Sequence, residues 1–105
     1  MKILTEGHKY TLDNFEDPST YQEIQFIEKE IDPDSDEPGA IRTVNDGTTN
    51  EEVLAVLINR LQYLYYKFPS KETFRAIESC EYALENLQRR TEDRIKRGVE
   101  GKHLL

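Results

Sequence analysis

The chain has 105 residues and a mass of 12.3 kDa, room for one small domain with a thin core. Hydrophobic residues make up 36% and charged ones 33%, close to a disordered composition, yet six Tyr and four Phe are too many aromatics for disorder. The net charge of −7 excludes general nucleic-acid binding, no apolar run reaches the roughly 18 residues of a membrane span, and MKILTEGHKY has no signal-peptide core.

The first half reads as strands. From His8 to Phe15, Tyr10 and Leu12 alternate with polar neighbours, and Glu16-Asp17-Pro18-Ser19 supplies a turn. From Tyr21 to Ile31 one long strand is expected, with Ile24 and Phe26 on one face and Ile27 and Ile31 on the other. Asp32 to Gly39 is rich in breakers and reads as a loop, and Ala40 to Val44 reads as a short third strand. The expected outcome is a small antiparallel sheet.

Helices follow. Thr49 with Glu52 forms a capping box, and Val53, Val56, Leu57, Leu61, Leu64 and Phe68 recur at helical spacing to about Lys67. Pro69-Ser70 breaks that helix, and Ser70 is a ready N-cap for a second. Phe74, Ile77, Cys80 or Glu81, Leu84, Leu87, Thr91 and Ile95 form a heptad-like seam, and Gly98 is the expected stop. A turn this short forces the helices antiparallel. The fold class is therefore α+β: a small N-terminal antiparallel β-sheet followed by a long antiparallel helical hairpin. One domain is expected over 1–105, with a β-region at 1–46, a hairpin at 47–98 and a tail at 99–105. Val56, Ile58, Tyr63, Tyr65 and Tyr66 lie off the main seam of the first helix, an apolar excess that calls for cover by the sheet or by another subunit.

Few residues carry chemistry. Asp32-x-Asp34-x-Asp36 begins like a calcium loop, but the sixth position is Glu37 instead of Gly and the twelfth is Thr43 instead of Glu. The single cysteine, Cys80, forbids an internal disulfide and points to a reducing compartment. One Cys with His8 and His103 makes neither a zinc set nor a nucleophile–base pair, so no cofactor, no metal and no enzyme activity are expected. Charge is the stronger signal: residues 1–46 carry −8, 47–88 carry −2 and 89–105 carry +3. Within that basic end Arg90 and Arg94 share a helix face, a pair suited to gripping phosphate; the competing reading is a solvated face paired with Glu92 and Asp93. Tyr63 offers a ring to stack on a base, or plain interface packing.

The stretch DGTTNEEVLAVLINRLQYLYYKFPSKET (46–73), with RRTEDRIKRGVEGKH (89–103), resembles the helical hairpin shared by the Thoeris anti-defence family and the anti-CBASS cyclic-nucleotide sponges. YTLDNFED and YQEIQFIEKE resemble the N-terminal β-region of the Thoeris branch. The resemblance implies a non-enzymatic phage protein, working in the cytoplasm of the infected bacterium, that binds immune signalling nucleotides and holds them intact. It implies glycocyclic ADP-ribose as ligand, cyclic oligonucleotides at separate sites in some members, and a homo-hexamer. By position it implies that Tyr63 packs against the ligand base and that Arg90 and Arg94 contact phosphate. Thr73 stands where the family usually has Asn, which removes an amide from the base or ribose contact. The alternative function is an acidic protein-interaction inhibitor or DNA mimic; an enzyme that cleaves the same signal ranks third, for want of an acid–base pair.

Overall fold

A computed structural model describes residues 1–98; the tail expected at 99–105, with His103 and the end of the RGVEGKH segment, lies outside the described residues. It contains five antiparallel strands in two small sheets followed by two helices, an α+β fold. Contacts divide the chain into two compact units that meet between Thr49 and Asn50 in sequence.

The first unit opens with a strand that the sequence reading omitted. Strands β1 (Lys2–Thr5), β2 (Lys9–Asp13) and β3 (Tyr21–Gln25) form one sheet in the order β1-β2-β3. Gly7, at φ 77°, makes the β1–β2 turn, where a side chain would be strained. Tyr10 pairs with Ile24 across β2–β3, and its ring meets Phe26 edge-on at 6.0 Å. Thr11, only 4% exposed, places its hydroxyl to accept from the Lys2 amide at 3.2 Å, so the buried oxygen is satisfied.

The single strand expected over Tyr21–Ile31 is corrected to two. After β3 the backbone changes partner: the Ile27 amide donates to Thr48 O at 2.9 Å, and the Thr48 amide donates to Gln25 O at 2.8 Å. Phe26 and Thr48 thus form a parallel bridge, and β4 (Glu28–Ile31) resumes in a second sheet with β5 (Ile41–Asn45). Gly47 makes the crossing possible. A Cβ there would stand 2.5 Å from Gln25 O and 2.6 Å from the Phe26 carbonyl carbon. Between β4 and β5, Arg42 gathers the acidic loop, reaching Glu30 at 2.7 Å and Asp34 at 3.6 Å.

The second unit is the hairpin of α1 (Asn50–Lys67) and α2 (Lys71–Lys96), which pack on each other. Its punctuation matches the sequence reading. Ser70 caps α2, accepting from the Thr73 amide at 3.1 Å and donating its hydroxyl proton to Thr73 Oγ1 at 2.9 Å. Gly98, at φ 71°, takes the left-handed position that ends the helix. The faces need correction. The half-buried positions of α1 are Glu51, Val53, Leu54, Ile58, Leu61, Leu64 and Tyr65, so Val53, Leu61 and Leu64 of the expected seam face inward, whereas Val56, Leu57 and Phe68 are exposed. On α2 the seam runs Thr73, Ile77, Cys80, Leu84, Leu87, Thr91, Arg94, a strict heptad alternation, and Phe74 and Ile95 fall outside it. Helix α1 is apolar on two faces, so period alone left its choice of inner face open. Only Ile77, 6% exposed, qualifies as buried apolar core among the described residues.

Candidate functional site

The expected ligand-binding residues occupy both ends of the hairpin. Near the turn lie Tyr63, in the last turns of α1, and Thr73, in the first turn of α2. Tyr63 is 53% exposed, and the Lys67 ammonium sits over its ring, 4.8 Å from the centroid. One face of that ring therefore already holds a cation. The Thr73 hydroxyl is tied to Ser70, so it serves the helix cap as well as any ligand.

Arg90 and Arg94 stand at the far end of α2. At 1.5 Å per residue, Arg90 lies ~26 Å along the helix from Thr73. No dinucleotide-sized ligand bridges that span within one chain. The two arginines also differ. Arg90 is exposed and makes no salt bridge among the described residues, whereas Arg94 is half-buried on the heptad seam and already has a partner. The neighbouring cations are partly committed: Arg89 pairs with Glu85, and Arg97 with Asp93 at 3.0 Å. Of the two local carboxylates expected to neutralise the arginine face, Asp93 takes Arg97. The structure thus brings Arg90 and Arg94 together, and places Tyr63 and Thr73 at one end of the hairpin, but it does not unite the two pairs in one protomer.

Sequence reasoning passed over a cleft beside the turn. It is a shallow, solvent-open depression of about 590 Å³ lined by Tyr65, Phe74, Lys71, Arg75 and Glu78 with the Pro69-Ser70 corner. The Tyr65 and Phe74 rings lie 6.0 Å apart, inclined at 48°. The available signal was the Lys71–Arg75 spacing of four with an aromatic residue between, overlooked because Phe74 fitted the heptad. Among the described residues no group of three His, Cys, Asp or Glu is arranged to hold a metal ion, and no helix is long and apolar enough to cross a membrane.

The fold and these residues describe an α+β protein whose helical hairpin carries two arginines one turn apart at one end and aromatic residues at the other. The chain is similar to Thoeris anti-defense 1 of Bacillus phage SBSphiJ7, with 44% identity over 59 residues. The match spans 55% of this chain and 42% of that protein, and it supports the Thoeris anti-defence family. No family model matches the chain.

Proposed function

We propose that the chain is a phage anti-Thoeris protein that sequesters an immune signalling nucleotide, glycocyclic ADP-ribose, without degrading it. The observation that carries this reading is the 44% identity to a protein named for Thoeris anti-defence. The site chemistry is compatible. Arg90 and Arg94 offer two guanidiniums one helical turn apart for phosphate, and Tyr63 offers an exposed ring for a base. Sequestration requires tight binding: a nanomolar Kd corresponds to about −12.3 kcal/mol. Within one hairpin the two ends that carry these residues are too far apart to grip one ligand together. The pocket is therefore assigned to an interface, where the turn end of one copy meets the arginine end of another in a homo-oligomer, a hexamer by family resemblance. Cyclic oligonucleotides, the signals of CBASS defence, would bind elsewhere on the same assembly.

The test is one incubation. The protein is mixed with glycocyclic ADP-ribose, separated from free ligand, heated to denaturation, and the released nucleotide is chromatographed. Unaltered nucleotide supports the sponge. New products would mean an enzyme, and no retention before heating would favour the acidic protein-interaction inhibitor or DNA mimic.

A further inference from the structure

We propose that the Asp46–Gly47 peptide is a self-modification site, at which the folded chain closes a succinimide, reopens it as isoaspartate and so unpins the strand crossing at Thr48. The chemistry is intramolecular. The main-chain nitrogen of Gly47 bonds to the side-chain carboxyl carbon of Asp46, and the carboxyl hydroxyl leaves as water with the amide proton. The cyclic imide then takes a water back. Attack at the side-chain carbonyl restores Asp46. Attack at the main-chain carbonyl breaks its bond to the Gly47 nitrogen, and the chain then runs through the former side chain. Water is the only co-reactant, and the product is an isomer with one extra methylene in its backbone.

Sequence and geometry both select this bond. Of the aspartates in the chain, only Asp46 is followed by glycine, and no asparagine is. Asp17 and Asp32 precede proline, which has no N–H, and the rest precede residues whose Cβ crowds the amide. Asp46 is exposed, between β5 and the Phe26–Thr48 bridge. Its carboxylate is turned back onto the reacting nitrogen: the Gly47 amide donates to Asp46 Oδ1 at 2.9 Å. That amide donates to no main-chain carbonyl among the described residues, so no backbone bond has to break before it reacts. The fold also holds glycine in place, because a Cβ at position 47 would stand 2.5 Å from Gln25 O; a shielding side chain is excluded there. The product falls where the backbone has least room. Thr48, the next residue, donates to Gln25 O at 2.8 Å and accepts from the Ile27 amide at 2.9 Å, and a lengthened main chain just before it moves it off both partners. None of these residues belongs to the set of Tyr63, Thr73, Arg90 and Arg94, so this inference and the nucleotide reading can each fail without the other.

The experiment ages the full chain for several weeks in warm, mildly acidic buffer made with heavy-oxygen water, followed by tryptic digestion in ordinary water. Mass spectrometry reads heavy-oxygen uptake, and isoaspartyl methyltransferase labelling reads the isomer. Peptide 43–60 should carry about tenfold more of both than peptide 30–42, whose aspartates precede Pro, Ser and Glu. Asp46→Glu keeps the charge but needs a larger ring, so it should bring peptide 43–60 down to the level of 30–42; circular dichroism confirms that this exposed substitution leaves the fold intact. In the isoaspartate fraction, separated by ion exchange, the Ile27 and Thr48 amides should lose their protection from hydrogen exchange. Uptake in 43–60 no greater than in 30–42, uptake only after the chain is unfolded in urea, or full protection of Ile27 and Thr48 in the isoaspartate fraction would overturn it.

Discussion

At the scale of single residues, the arginine pair carries the sharpest expectation. A hydrogen bond to a charged group contributes about 1.5–3 kcal/mol, so Arg90→Ala should weaken glycocyclic ADP-ribose binding roughly ten- to a hundredfold. Because Arg90 is exposed, the thermal midpoint should barely move. Calorimetry with melting curves checks both, and binding within twofold of the parent returns Arg90 to ordinary surface charge. Tyr63→Phe keeps the ring that Tyr63→Ala deletes, so Ala should cost more affinity than Phe by the same assay; equal losses would assign the contact to the hydroxyl. The arginine pair was legible in the sequence because a spacing of four fixes a shared face. What spacing could not reveal is that Arg94 belongs to the packed seam while Arg90 does not. A second residue-scale effect lies in the Asp17 turn, where the Ser19 hydroxyl, then the Ser19 amide, donate to the carboxylate and hold its pKa below the ordinary 3.8. The depressed value means that the turn's contribution is intact above the ordinary carboxylate range and is lost as pH falls through the lowered folded-state value. Asp17→Asn should abolish that acid dependence in the amide shifts of Ser19, followed by NMR titration.

At the scale of elements, boundaries dictated by neighbours in sequence were readable and those dictated by distant partners were not. The Ser70 cap and the Gly98 stop are local chemistry and stand where the pattern put them. Ser70→Ala should therefore destabilise the hairpin by about 1 kcal/mol, read as a lower urea midpoint at unchanged slope. The split of the Tyr21–Ile31 run has no local signal, because no Gly, Pro, Asn or Asp breaks it. The break is imposed by Thr48, over twenty residues away, through the backbone bonds to Gln25 and Ile27. Gly47→Ala tests that cause directly. Its methyl group would meet the Gln25 and Phe26 backbone, which has no flexible end to yield, so a loss of about 1–3 kcal/mol is expected in chemical denaturation. Stability equal to the parent would show that the crossing tolerates a wider separation. The turn cleft escaped notice for a related reason: Tyr65 and Phe74 are nine apart in sequence and meet only once the chain reverses at Pro69-Ser70.

At the scale of the whole molecule, the outer face of α1 is the dominant feature. Val56, Tyr63 and Tyr66 on the helix are 68%, 53% and 85% exposed, and Phe68, just past its end, is 76% exposed, an apolar surface unusual for a 12.3 kDa chain on its own. We expect such a surface to self-associate: light scattering at micromolar concentration should report a multiple of 12.3 kDa. A monomeric mass would remove the interface on which the proposed nucleotide pocket depends. The lone cysteine adds a clock to such measurements. Cys80 sits half-buried on the α2 seam between Ile77 and Leu84, and no other thiol in the sequence competes with it. Maleimide alkylation is therefore slow while the hairpin is closed and quickens when the helices part, so a labelling half-life reads out how often that happens. A ligand that binds only the closed hairpin lengthens the half-life as the unbound fraction falls, so in purified form the proposed capture of a nucleotide would be readable at Cys80 without any tag.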